Sequence, residues 1–161
     1  MDHIWSPWRM EYIQAAKDEV EGCIFCALPA KGDDAEARIL GRGEHGFVML
    51  NTFPYNPGHL LVAPFRHIGE VEDLTEGELV DLGRLLQAAI RALRLEMEPQ
   101  GFNVGMNLGR VAGAGIPDHL HWHVVPRWSG DTNFMPVVGE TRVVPELVEE
   151  TYRKLAPRFA E

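Results

Sequence analysis

The sequence contains no long apolar run and no leader-like start. None of its hydrophobic segments reaches the ~18–20 consecutive residues that a membrane-spanning helix needs, so we expect no membrane partner. The opening residues, MDHIWSPWR, carry an early acid and lack the apolar stretch of a secretory signal. These features predict a cytoplasmic protein.

Basic residues are scarce. The 161 residues include 15 Lys and Arg against 24 Asp and Glu, a formal net charge of −9. This balance argues against binding of a nucleic acid polymer, which needs a basic surface. It still allows a small anionic ligand, because one local site can be positive on an acidic protein. No linker, repeat or low-complexity segment divides the chain, which predicts a single domain over residues 1–161.

Cysteine is also rare, and the two present form one C-x-x-C motif, Cys23 and Cys26. A structural disulfide is not expected in a reducing cytosol. Buried inert thiols, a redox pair and a metal site remain as interpretations. No thioredoxin-like βαβ pattern surrounds the motif, which disfavours the redox pair. Two thiols supply half of a tetrahedral zinc site, and the other ligands would come from His, Asp or Glu.

Hydrophobic periodicity predicts short strands with separate helices, an α+β protein with a mainly antiparallel sheet of about five strands. Thr75 and Glu78 form a T-x-x-E capping box at the start of the main helix. The apolar stripe of that helix comprises Leu79, Leu82, Leu86, Ile90, Leu93 and Met97. Helices are predicted at 5–17, 75–98 and 145–155, and strands at 38–42, 47–50, 59–65, 101–107 and 118–128.

The segment Asp118–Trp128 reads DHLHWHVVPRW and alternates histidine with apolar residues. A strand here would place His119, His121 and His123 on one face, ~7 Å apart. Two charged rings at that distance repel by ~2 kcal/mol at an effective dielectric of 20. The row therefore favours mixed protonation, a metal or a bound anion, with three polar surface positions as the alternative.

A glycine-rich loop precedes this strand, with Gly109, Gly113 and Gly115. Glycines let backbone N–H groups converge on an anion, although an ordinary loose turn would have the same composition. Imidazoles beside a backbone anion site point to phosphate chemistry.

The motif HLHWHVV resembles the His-x-His-x-His-x-x signature of the histidine triad family of nucleotide hydrolases and transferases. The segment LNTFPYNPGHLLVAP is similar to the region where that family places a ribose contact and a fourth histidine. SPWRMEYI, GFNVGMNLG, HVVPRW and GDTNF resemble the branch that contains bacterial diadenosine tetraphosphate phosphorylases. The resemblance covers nearly the whole chain and implies the family's fold.

The resemblance implies catalytic roles for His121, His123 and His59. Neutral His121 would attack the α-phosphorus and form a nucleotidyl-histidine intermediate, its other ring nitrogen donating to a backbone carbonyl. His123 and His59 would bind phosphate oxygens, and His123 would help to protonate the leaving group. The implied substrate contacts are Asn51 to ribose, Asn107 to phosphate or bridging oxygen, and the N–H groups of the loop from Gly113 through Gly115 to Ile116.

One departure from the family pattern lies in this loop. The family often has Ser or Gln side chains there, whereas this chain has Ala114, Gly115 and Ile116. The leaving-group contact and the preferred substrate therefore stay open. Arg127, Trp128 and residues 131–134 follow the triad and form either a packed loop or a contact to the distal phosphate or second nucleoside.

Zinc-bearing relatives imply a ligand set for the C-x-x-C motif. By this resemblance Cys23, Cys26, His67 and His119 would hold one closed, structural Zn²⁺ that does not touch substrate. A competing site, one catalytic metal on all three triad histidines, would leave the cysteines unexplained. The resemblance also implies a homodimer with the sheet continued across subunits. The domain would then comprise an N-terminal helix and zinc knuckle at 1–30 and a C-terminal helix within 144–161.

The implied activity is cleavage of a dinucleoside polyphosphate, diadenosine tetraphosphate above all, by phosphorolysis to ADP and ATP. Hydrolysis shares the same first step, so residue types do not separate the two. One alternative is a hydrolase of nucleoside phosphoramidates or other mononucleotide conjugates. A second is a non-enzymatic, zinc-stabilised nucleotide-binding module, against which the intact triad speaks.

Overall fold

The computed structural model describes residues 22–131 and 146–160. Within them, five antiparallel strands form one sheet with helices on both faces. The elements are α1 (Ile24–Ala30), β1 (Ile39–Arg42), β2 (Gly46–Leu50), β3 (Leu60–Pro64), α2 (Glu76–Met97), β4 (Gly101–Met106), β5 (Trp122–Arg127) and α3 (Val148–Leu155). The α+β prediction is confirmed, while the helix predicted at 5–17 lies outside the described residues.

The order of strands places β3 at the centre and β4 at an edge. The sheet runs β1-β2-β3-β5-β4. Strand β3 pairs with β2 on one side and with β5 on the other, where Leu61 lies opposite His123. Strand β4 pairs with the whole of β5, from Gly101 opposite Arg127 to Met106 opposite Trp122. The histidine-bearing strand is therefore held between two neighbours.

Alternating side chains on β2 and β3 build a core on each face of the sheet. Both strands are buried along their whole length, as expected where helices cover both faces. Val48 and Val62 pack with α2 and with Val124 of β5. Phe47 and Leu61 pack on the other face with Phe25 of α1. Helix α1 thus covers the face that also carries His123.

The long helix begins as predicted, but its most buried residues lie to one side of the predicted stripe, of which Leu82 and Leu93 are buried and Leu86, Ile90 and Met97 pack against the core. Thr75 is the N-cap and forms the capping box with Glu78. Leu79, assigned to the core from spacing, is 48 % exposed. The buried residues are Glu78, Leu82, Leu85, Ala89, Ala92 and Leu93. The stripe is rotated because two alanines allow close packing on the sheet and because Arg66 pairs with the buried carboxylate of Glu78.

Strand β5 starts later than the sequence pattern predicts. Pairing with β3 ends at Val62 opposite Trp122, rather than continuing to Asp118. Beyond that point the N–H of Leu120 donates to the carbonyl of Ile68, 2.6 Å away, in the segment that follows β3. The prediction of a strand from Asp118 with imidazoles ~7 Å apart is therefore wrong, because β5 begins at Trp122 and the His121 and His123 ring centroids are 5.0 Å apart.

The terminal helix is shorter than predicted, with a 3-10 turn at Ala156–Phe159 continuing it. The Tyr152 hydroxyl donates to the carbonyl of Ile39, which joins this helix to β1. The position predicted to start it, Pro145, lies outside the described residues. In the part of the chain that the structure describes, none of the helices combines the length and the apolar character that a membrane span requires.

Candidate active site and metal centre

The predicted nucleophile, His121, is held in one orientation by the backbone. Its Nδ1 lies 2.8 Å from the carbonyl oxygen of His119. A carbonyl only accepts, so Nδ1 carries the proton and Nε2 keeps its lone pair. The ring is buried to 7 % exposure and lies against Phe25, with centroids 4.7 Å apart. His121 thus has the tautomer and the confinement that a nitrogen nucleophile needs.

His59 and His123 form a hydrogen-bonded pair whose direction the main chain sets. The N–H of Tyr55 donates to Nδ1 of His59 over 3.0 Å, so that nitrogen is an acceptor and the His59 proton is on Nε2. Nε2 of His59 lies 3.0 Å from Nδ1 of His123. His59 therefore donates to His123, and the proton of neutral His123 is on its Nε2.

The loop between β2 and β3 holds His59 in place. Gly58 adopts φ +77, and an added Cβ would lie 2.6 Å from the sulfur of Met97, so only glycine fits both the backbone and the packing. The Tyr55 ring stacks on His59 with centroids 4.8 Å apart. Asn51 accepts from the N–H of Phe53 and directs Nδ2 towards the His59 ring. Its contact with ribose stays a prediction.

The glycine loop before β5 lies beside the triad and is structured rather than loose. Residues 110–112 form a 3-10 turn that ends at Gly113, which adopts φ +91. Ile116 packs its side chain against the cluster around Phe25 and Phe47, so any contact from Ile116 to a phosphate would come from its backbone. The roles predicted for Gly113, Gly115 and Ile116 stay predictions.

A cavity of about 550 Å³ opens beside His123 on the same face of the sheet. Gly105 of β4 and Asn107, the residue after that strand, line it near His123, and Arg127 lines its other end. The Arg127 guanidinium donates to both carboxylate oxygens of Asp131, at 2.6 and 2.8 Å, and to Asn103 Oδ1 at 2.7 Å. These bonds hold a fork-shaped cation in a fixed plane.

Of the two interpretations left open for this segment, the contact made by Trp128 favours packing. Its indole Nε1 donates to the carbonyl of Met97, 3.2 Å away, at the end of α2. Residues 132–134 lie outside the described residues.

Four metal-ligating side chains converge next to the triad. Ligand atoms of Cys23, Cys26, His67 and His119 all lie within 4.8 Å of one another. The fold brings them from four places: the cap of α1, its first turn, the segment after β3, and the segment before β5. The triad residues His121 and His123 do not belong to this cluster among the described residues, which disfavours one metal on all three histidines.

The spacing of these donors fits a tetrahedral zinc ion. Zn–S and Zn–N bonds of ~2.0–2.3 Å place neighbouring ligand atoms ~3.3–3.8 Å apart. His119 Nδ1 lies 3.3 Å from the Cys23 sulfur and 3.5 Å from the Cys26 sulfur. His67 Nδ1 lies 3.4 Å from the Cys26 sulfur and 3.2 Å from His119 Nδ1. The donor set and its distances therefore suit zinc.

His119 is prepared as a neutral ligand. Its Nε2 donates to the carbonyl of Pro64, 2.9 Å away, which leaves Nδ1 facing the sulfurs. Burial, with smaller contributions from the nearby His67 and His121, lowers the pKa of His119 to about 4. Burial and the adjacent Cys23 thiol raise the pKa of Cys26, so metal binding there is coupled to proton release.

Three contributors to the site escaped the sequence analysis. The Tyr55 N–H and the Pro64 carbonyl are main-chain groups, which no side-chain pattern reveals. Phe25 packs between His119 and His121, with centroids 5.2 and 4.7 Å away. Its position between the two cysteines was the available signal, because a bulky apolar residue there must pack against whatever the thiols approach.

Comparison with known proteins agrees with this geometry. The family model described as "HIT domain" matches residues 33–130. The chain is 41 % identical to "AP-4-A phosphorylase" of Mycobacterium tuberculosis, over 99 % of this chain and 85 % of that protein. It is 30 % identical to "Adenosine 5'-monophosphoramidase hnt1" of Schizosaccharomyces pombe, over 65 % of this chain and 74 % of that protein.

A solved structure with the same fold is described as a zinc-bound histidine triad family protein from Mycobacterium smegmatis. Its TM-score is 0.68 at 27 % identity, and the match covers 86 % of this chain and 94 % of that one. Because the family model spans more than half of the chain and a relative matches nearly all of it, this protein belongs to the histidine triad (HIT) domain family.

Proposed function

We propose that the protein cleaves dinucleoside polyphosphates, diadenosine tetraphosphate above all, by phosphorolysis to ADP and ATP. The observation that carries the proposal is the hydrogen bond from Nδ1 of His121 to the His119 carbonyl, which presents Nε2 as a nucleophile. The 41 % identity to a protein called AP-4-A phosphorylase supports this choice of substrate and reaction.

The reaction would proceed in two displacements at one phosphorus atom. Nε2 of His121 attacks the α-phosphorus, and the bond from phosphorus to the bridging oxygen breaks with release of ATP. His123 is placed to give its Nε2 proton to that oxygen, and Nε2 of His59 donates a hydrogen bond to Nδ1 of His123 that holds the ring in place. Inorganic phosphate then attacks the adenylyl group, the P–N bond breaks, and ADP leaves while His121 recovers its lone pair.

The product profile tests this function. The protein is incubated with diadenosine tetraphosphate, with and without inorganic phosphate, and the nucleotides are separated. Phosphorolysis gives ADP and ATP and requires phosphate. Formation of AMP and ATP at the same rate without phosphate would show that the reaction is hydrolysis rather than phosphorolysis. No cleavage in either condition would refute the proposal.

A second candidate is hydrolysis of nucleoside phosphoramidates. One observation favours it, the 30 % identity to an adenosine 5′-monophosphoramidase. The loop at Ala114, Gly115 and Ile116 leaves the leaving-group contact open. An adenosine 5′-phosphoramidate turned over with a higher kcat/KM than diadenosine tetraphosphate would select it.

We further propose that Cys23, Cys26, His67 and His119 hold one structural zinc ion. Bound there, zinc would join α1 to the two segments that flank the sheet and would take no part in the chemical steps. The proposal includes a cytoplasmic location, where a reducing environment keeps both thiols available as ligands.

The proposed assembly is a homodimer that continues the sheet through β4. That strand is an edge of the sheet, and its middle residues from Asn103 to Gly105 are exposed. Val104 at its centre is 43 % exposed. An apolar edge strand with unpaired backbone groups is suited to pairing with a second copy.

A further inference from the structure

The cavity beside His123 is lined by two polar residues, Asn103 and Arg127, that the two displacement steps do not use. Its volume of about 550 Å³ falls within the ~300–1,000 Å³ range of small-molecule sites. Among the described residues that line it, Arg127 is the only Lys or Arg. The amide of Asn103 lies between that cation and His123 in the sheet register, and Asn107 lies beyond His123. This composition suits a phosphorylated ligand.

The position of the cavity indicates which side of the scissile bond its ligand occupies. His123, the residue placed to protonate the leaving oxygen, lines the cavity, whereas His121 and Asn51 are not among its lining residues. The adenylyl group that is transferred must contact His121. The ligand of the cavity therefore lies on the other side of the bridging oxygen.

Gly105 indicates that this space is kept open. It lies opposite His123 in the sheet register and lines the cavity. Its φ is not in the left-handed region, and an added Cβ would meet no heavy atom within 4 Å. Neither backbone conformation nor packing requires glycine there, and a glycine inside a strand often marks close approach of a ligand.

Arg127 reaches back along the strand towards the same space. Asn103, which accepts from its guanidinium, lies opposite Val125, and Val125 is two residues, ~7 Å, from His123. Asp131 fixes the plane of the guanidinium. A planar, oriented Arg flanked by amide donors is the arrangement that recognises phosphate oxygens.

We propose that this cavity binds the phosphate chain of the departing nucleotide, with Gly105 leaving room for the chain and Asn103 and Arg127 contacting its distal phosphates. The assignment rests on the proposed function and identifies the ligand as a nucleoside triphosphate. Inorganic phosphate, the second substrate, would be recognised by the same groups. The experiment that follows distinguishes it from a nucleoside triphosphate as the ligand of the cavity.

The test measures binding in a background that cannot turn over. In His121→Ala protein, dissociation constants are determined by calorimetry for AMP and for diadenosine tetraphosphate. Adding Gly105→Val fills the cavity, and we expect at least a tenfold weaker affinity for the dinucleotide with AMP affinity changed less than twofold. Arg127→Lys keeps the positive charge but loses the planar, two-pronged guanidinium. It should weaken the affinity for the dinucleotide by a smaller factor and leave the affinity for AMP unchanged.

Gly101→Val is the matched control. Gly101 is on the same strand, and its Cβ would also meet nothing within 4 Å, but it does not line the cavity. We expect both affinities to be unchanged. Retained AMP binding in each variant shows that the protein is folded, and Gly105→Ala provides a milder version of the same change.

Three results would overturn the proposal. One is an unchanged dinucleotide affinity in Gly105→Val, and another is an equal loss of AMP affinity. The third is an increase in the KM for inorganic phosphate alone when Gly105→Val is made in active protein, which would assign the cavity to the acceptor. Because binding is read without turnover, failure of the proposed activity is detected separately, by the product profile of the unmodified protein.

Discussion

Nε2 of His59 donates to Nδ1 of His123 over 3.0 Å. The two rings are tilted by 47° and their centroids are 5.1 Å apart, so each limits the orientation of the other. The bond links a residue at the start of β3 to one in β5, and His123 in turn lies beside His121. Because the Tyr55 N–H fixes the direction of this bond, His59 and His123 should act as one unit.

A double-mutant cycle tests that coupling. His59→Gln and His123→Gln should each lower kcat/KM by about 10²–10⁴-fold, the range for loss of general acid catalysis. The kcat/KM of the double variant should be at most about tenfold below that of the more damaging single variant, because either change already disrupts the hydrogen-bonded pair. Multiplicative losses would show that the two histidines act independently.

His121 should carry the covalent intermediate. Mass spectrometry of protein quenched in alkali after brief exposure to diadenosine tetraphosphate without phosphate should detect one adenylyl group. His121→Ala should remove that adduct and lower kcat by about 10³-fold or more, as loss of a nucleophile does. His45→Ala is the control, since this side chain is 38 % exposed and its Nε2 lies 3.8 Å from the exposed carboxylate of Glu44. An adduct that persists in His121→Ala would assign the nucleophile to another residue.

Protein purified without chelator should contain about one zinc per chain by elemental analysis, since the cluster has four ligands. Cys23→Ser should abolish that content and lower the melting temperature, because binding free energy at such a site adds to folding free energy. Occupancy should also fall as pH decreases, since protons compete for the thiolates. A metal-free protein whose melting temperature is unaffected by chelator would contradict the zinc proposal.

Acid should destabilise the protein partly through Glu78. Hydrogen bonds from Arg66, and further ones from Thr75, lower the pKa of Glu78 to about 2. A depressed pKa means that the unfolded state binds more protons below about pH 4.5. The stabilisation is therefore complete above that pH and is lost as pH falls towards 2.

The measurement is urea unfolding as a function of pH. Glu78→Gln should flatten the decline of stability between about pH 4.5 and 2. Thr75→Ala should cost about 1 kcal/mol at neutral pH, the usual value of an N-cap. Glu76→Gln, an exposed acid in the same first turn, is the control and should leave the decline unchanged. A steep decline that survives Glu78→Gln would place the acid sensitivity elsewhere.

The proposed dimer depends on the edge of β4. Val104→Lys should convert it to a monomer in light scattering, since a charged residue on an edge strand discourages pairing. Val111→Lys is the matched control, because Val111 is fully exposed but lies in a turn outside the sheet. A mass that is unchanged by Val104→Lys would exclude this edge as the interface.

The elements that sequence predicts best are those set by local chemistry. The short apolar runs of β2 and β3 and the Thr75–Glu78 box predict their structures because each depends on residues a few positions apart. The same reasoning misplaced Leu79, because spacing alone does not distinguish a leucine stripe from a neighbouring one with small alanines that pack closer to the sheet.

The site was predictable in residue type but not in arrangement. The triad motif indicates three histidines, yet it does not show that Nδ1 of His119 faces the sulfurs of Cys23 and Cys26. That placement depends on where β3 ends and on a bond from Leu120 to the Ile68 carbonyl, a contact between residues 52 positions apart. Likewise the spacing of seven histidines could not choose the partners of Cys23 and Cys26, and family resemblance was needed.

The bond from the Tyr55 amide to His59 means that a main-chain group sets the direction of the hydrogen bond between His59 and His123. An amide hydrogen does not titrate in the range where proteins fold, so this donor directs the His59 proton to Nε2 whenever the ring is neutral. It is also protected from mutation: every substitution at position 55 keeps the donor except proline. This main-chain part of the candidate active site is thus invisible to residue conservation, because a different side chain at position 55 would retain its chemical contribution.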